Sequence, residues 1–80
     1  MSSIEMSLLD CTRVLLEEVA DGATQKDVAS TYGMAILSAA RDRDNPDWGA
    51  INRAIVARWN MAALDRIKRD AMKLARGTSP

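Results

Sequence analysis

The stretch Thr24-Gln25-Lys26-Asp27-Val28-Ala29-Ser30-Thr31-Tyr32-Gly33-Met34 decides how this chain folds, because its two readings give two different molecules. Thr24 is a good N-cap: its hydroxyl can accept from an orphan amide of the first turn. Asp27, at the third helical position, complements the positive end of the helix dipole. A helix therefore starts here, and the question is where it ends. A tight turn at Tyr32-Gly33-Met34 would close it near Tyr32, whereas a helix through Gly33 would continue to about Arg41. On the unbroken helix, Val28, Ala29, Tyr32, Ala35, Ile36 and Ala39 form one stripe whose phase is kept across Gly33. A glycine in a helix interior costs about 1 kcal/mol relative to alanine, an amount that packing can offset.

Outward from this segment, three more helices are predicted. The first spans about Ser3 to Ala20, with Ser2 and Glu5 in a capping-box arrangement. Its apolar stripe is Ile4, Leu8, Cys11, Leu15 and Val19, widened by Leu16, and Asp21-Gly22 ends it. After the polar run Arg41-Asp42-Arg43-Asp44-Asn45, the third helix begins at Asn45-Pro46-Asp47, with Asn45 as cap and Pro46 at the first helical position. Trp48, Ile51, Ile55 and Trp59 share one of its faces, and Asn52 borders them at a position suited to a buried polar contact. Asn60 caps the fourth helix, which turns Met61, Leu64, Ile67, Ala71 and Leu74 inward and closes at Gly77. The expected fold is all-α, a compact bundle of four helices in one domain over residues 1–77. Residues 78–80 form a disordered tail, and helix 2 is either straight or broken at Gly33.

Composition fits this architecture and excludes several functions. Apolar residues make up 48% of the 80-residue chain and aromatics 4%, so the core must be built from aliphatic residues and alanine. One cysteine, Cys11, rules out an internal disulfide or a cysteine zinc cluster, and its place on the apolar stripe reads as a small buried hydrophobe. Without histidine, a glycine-rich phosphate loop or a second cysteine, no nucleophile-and-base constellation can be assembled, so no catalytic residues are assigned and no enzyme is expected. No cofactor or metal is assigned either: Asp42, Asp44, Asn45 and Asp47 lack the glycine turn and bidentate glutamate of a calcium loop. No apolar run approaches the roughly 20 residues of a membrane span, and no leader pattern is visible, which suits a cytoplasmic protein.

The zero net charge hides an asymmetry. Residues 1–40 carry two basic and six acidic side chains, a balance of −4, and residues 41–80 carry nine and five, a balance of +4. The basic half could meet phosphate or an acidic partner.

The residues Gln25, Val28, Ala29, Tyr32, Gly33 and Met34 resemble the first half of the helix-turn-helix of small DNA-binding regulators of the kind phages and mobile elements encode. Ala29 and Gly33 stand at the four-residue spacing of that family, and Val28 and Tyr32 fit its buried positions. The resemblance implies transcription regulation through duplex DNA. The reading helix would then be Ala35 to Asp42, in which Ser38 and Arg41 are suited to base contacts. With helix 2 straight, the later helices would supply the contacts instead. The candidate nucleic-acid-binding residues are therefore Ser38, Arg41, Arg43, Arg53, Arg58, Arg66, Lys68, Arg69 and Lys73. Asp65 and Asp70 stand at intrahelical ion-pair spacing from Arg69 and Arg66, which would make those cations ordinary solvated groups.

A second function class is open. Met34, Leu37, Leu9 and Val14 lie off the main stripes and would suit a homodimer face or a groove for another protein. That reading makes the chain a helical protein–protein interaction module, possible as a dimer, that inhibits or adapts a larger complex without touching nucleic acid. Trp48 and Trp59 are expected as core anchors rather than a stacking platform, and the five methionines as gap-fillers.

Overall fold

Helix α2 runs from Gln25 to Asp42 without a break at Gly33. The computed structural model describes residues 8–42 and 46–78, and these form four α-helices: α1 Leu8–Ala20, α2, α3 Trp48–Arg58 and α4 Met61–Thr78. The stripe read from the sequence is the buried face of α2, with Val28, Ala29, Tyr32 and Ala35 in the core and Ile36 packed beside them. Gly33 is buried too. A Cβ at this position would stand 3.0 Å from the carbonyl oxygen of Ala71, 3.6 Å from its Cα and 3.5 Å from Leu74 Cβ. The missing side chain thus lets the backbone of α4 lie directly on α2, which explains why a residue with poor helix propensity sits in mid-helix.

Each helix packs against two others, in the cycle α1–α2–α4–α3–α1, and the α2–α4 interface is the most extensive. Helices α1 and α4 do not pack together and lie diagonally across the bundle. The core that joins them contains Cys11, Leu15, Val19, Val28, Tyr32, Ile51, Ile55, Leu64, Ile67 and Ala71. Trp48 and Trp59 pack against this core while remaining partly exposed.

Helix starts follow local chemistry. Thr24 Oγ1 accepts from Asp27 N at 3.1 Å, and Asn60 Oδ1 accepts from Ala63 N at 2.8 Å. At α3 the cap is Asp47, whose Oδ1 accepts from Ala50 N at 3.1 Å. The expectation that Pro46 opens the helix behind an Asn45 cap is corrected: Pro46 is buried just before the cap, and Asp47 N donates to Thr12 Oγ1 at 3.3 Å. That bond to α1 helps set where the chain turns into α3. Gly22, with φ of 90°, provides the left-handed residue after α1.

Three further expectations change. The fourth helix continues through Gly77 to Thr78, so Gly77 does not close it. Met61 and Leu74, expected inward, are 61% and 49% exposed, and Ala63 and Ala75 are buried instead. The inward face of α4 is Ala63, Leu64, Ile67, Ala71 and Ala75, and Leu74, whose Cβ faces Gly33, leaves about half of its surface exposed. Met34 and Met72 are also exposed, and with Met61 they are surface residues rather than gap-fillers. The predicted cap of the first helix, Arg43 to Asn45 in the loop, and Ser79-Pro80 lie outside the described residues.

Candidate functional site

Where α2, the start of α3 and α4 meet, the surface opens into a groove of about 410 Å³. Tyr32, Ile36, Ala39 and Ala40 line it from α2, Trp48 from α3, and Lys68 and Met72 from α4. The α2 residues recur at helical spacing over about 12 Å of axis. Ala39 and Ala40 keep that wall low.

The aromatic part of the groove is tied together by a ring contact and a hydrogen bond. The Tyr32 and Trp48 ring centroids are 4.9 Å apart with planes at 36°, a tilted pair. Tyr32 OH donates to Asn52 Oδ1 at 2.8 Å, a part-buried contact at the edge of the α3 stripe. Burial raises the phenol above its ordinary pKa of 10.0, while the Asn52 bond pulls it in the other direction. The hydroxyl is therefore a neutral donor at physiological pH. The Tyr32–Asn52 bond joins α2 to α3 across the other diagonal of the bundle.

Beside the groove, Lys68, Arg69, Lys73 and Arg76 line a shallow channel on α4 together with Asp65 and Met72. Among the described residues none of these four cations has a carboxylate within ion-pair distance. The intrahelical pairs Asp65–Arg69 and Arg66–Asp70, allowed by spacing, are not closed. Helix α4 carries five basic and two acidic residues, and α1 carries one basic and three acidic. Because α1 and α4 lie on a diagonal, the asymmetry along the chain becomes a separation of charge in space.

The candidate contact residues do not form one surface. Lys68, Arg69 and Lys73 lie together on α4, joined by Arg76. Arg66 leans to α2, where Nη2 donates to Gln25 Oε1 at 3.4 Å. Arg53 is exposed on α3, beside Met61, Val56 and Ala57 in a separate apolar depression. Ser38 is half-buried on α2, Arg41 is exposed in its last turn, and Arg43 lies outside the described residues. Arg58 is engaged within the fold: Nη1 donates to Val19 O at 2.7 Å and Ala23 O at 3.5 Å, and the guanidinium lies 4.7 Å from the Trp59 ring centroid. It neutralises the carbonyl end of α1.

Arg58→Ala should therefore lower stability by about 1–2 kcal/mol, while Lys73→Ala changes it by less than about 0.5 kcal/mol. Chemical denaturation of the two variants checks this, and equal stabilities would refute the capping role.

The sequence reading missed Ile36, Ala39, Ala40 and Met72 as site residues. The signal was present in Tyr32, Ile36 and Ala40, one turn apart each time, but it merges into the core stripe until the position of α4 is known. No described helix is long and apolar enough to cross a membrane. Comparison of the chain with protein-family models, with curated proteins and with solved structures gave no match.

Proposed function

We propose that this protein is a helical interaction module that docks a segment of a larger protein on the face where α2 and α4 meet. One observation carries this reading: α2 is a single helix whose mid-point, Gly33, seats the backbone of α4. Residues 35–42 continue the same helix, which supports reading this face as a packed surface. Beside it lies an open apolar groove, flanked by exposed methionine and by the cations of α4. Methionine suits adaptable protein contacts because it is flexible and polarizable.

A second reading has its own support. The cations on α4 could follow a phosphate backbone, making the protein a small DNA-binding regulator. Zero net charge and the dispersal of Arg53, Arg58 and Arg66 away from that group weigh against it.

A photo-crosslinking residue placed at Met72, and separately at Glu17 on the exposed side of α1, tests the proposal in cells that make the protein. One protein species should be captured from position 72 and not from position 17. Capture of duplex DNA at position 72, or no difference between the positions, would overturn it.

A further inference from the structure

We propose that the groove takes an acidic amphipathic helix, with its apolar face on Tyr32, Ile36, Ala40 and Met72 and its carboxylates toward Lys68 and the cations beyond. This rests on the reading of the α2–α4 face as a protein-docking surface and names the chemistry of the occupant. Three features lead to it. The groove runs beside α2 for about two helical turns, the span over which an incoming helix presents apolar side chains at i, i+3 or i+4, and i+7. Its alanine wall leaves room for bulky anchors from the partner, and Met72, 48% exposed, can adjust around them.

The third feature is charge. Lys68 belongs both to the groove and to the channel with Arg69, Lys73 and Arg76, so the cations begin at the groove's edge and continue along α4. Among the described residues Asp65 is the acidic one lining that channel. Among the described residues no carboxylate lies within ion-pair distance of the four cations, so carboxylates on a docked helix would meet them directly. A basic helix would be repelled at the same place.

The test uses the full chain and three synthetic helical peptides: an acidic amphipathic one with leucine anchors, the same peptide with every glutamate changed to lysine, and a scrambled acidic control. The acidic amphipathic peptide should shift the Trp48 indole and Ile36 methyl resonances, with weaker binding as salt rises. Lys68→Glu with Lys73→Glu should weaken it about tenfold or more, and Ala40→Tyr, at an exposed position, should block it while the helical circular dichroism is unchanged. Equal binding of the lysine or scrambled peptide, binding of none, or duplex DNA displacing the acidic peptide would overturn the proposal. If position 72 still captures a protein in cells while the acidic peptide fails, the docking face stands and the assigned chemistry falls.

Discussion

Ile55→Ala should lower the stability of the folded chain by about 3 kcal/mol, a large effect for one side-chain truncation. Ile55 is fully buried on α3, in the cluster that also holds Leu15, Val28, Ile51 and Ile67. Removing three carbons there loses transfer free energy and leaves a cavity that four mutually braced helices cannot readily collapse into. A domain of this length is stable by roughly 4–12 kcal/mol, so the loss is a large fraction of the total. Ile55→Val removes one methyl group and should cost about 1 kcal/mol. Met61→Ala, at a position 61% exposed, should stay within about 0.5 kcal/mol of the parent. Urea denaturation followed by circular dichroism gives all three values. If Met61→Ala cost as much as Ile55→Ala, the inward and outward faces of the bundle would be wrongly assigned.

Gly33→Leu should destabilise the protein by about 2 kcal/mol and weaken docking in the groove as well. Two effects oppose each other. Leucine improves local helix propensity by up to about 1 kcal/mol. Against it, even the first carbon of the new side chain would stand 3.0 Å from the Ala71 carbonyl, and the branch beyond has nowhere to go unless α4 moves. Overpacking of this kind costs about 1–3 kcal/mol, and contact with helix backbone puts it at the upper end or beyond. A net loss of this size corresponds to a fall in Tm of roughly 8–16 °C in a domain this small. Gly33→Ala separates the two effects: propensity alone predicts a gain of about 1 kcal/mol, and close packing predicts that the gain is cancelled or reversed. Thermal melts decide it. A Gly33→Leu protein as stable as the parent would show that α2 and α4 do not need this close approach.

These two positions show what was legible in the sequence. The inward place of Ile55 follows from its spacing with Ile51 on an amphipathic helix, a periodicity visible without knowing any partner. Gly33 was ambiguous because glycine serves a turn and a close helix crossing equally well. Phase favoured the unbroken helix, but the reason for the glycine lies on α4, nearly forty residues further along the chain. The same limit explains the exchange of Met61 and Leu74 for Ala63 and Ala75. Hydrophobicity ranks the larger residues as better core, but which face of α4 turns inward is set by its packing on α2 and α3.

The candidate site divides in the same way. The basic character of α4 could be read directly from composition. That Arg58 answers the carbonyls of Val19 and Ala23 could not, because its partners are 35–39 residues away. The groove was equally hidden, since no one helix contains it.

By itself the sequence determined the elements: four helices, the caps at Thr24 and Asn60, the left-handed exit at Gly22, and the apolar stripes of α2 and α3. Each rests on contacts within a few residues, where spacing alone decides which atoms can meet. Tertiary structure decided the rest: that Gly33 seats α4, that acidic α1 and basic α4 lie on a diagonal, which cations gather on one face, and where a groove stays open. Those outcomes depend on how closely two helices approach, and that distance is set by side chains on both of them at once.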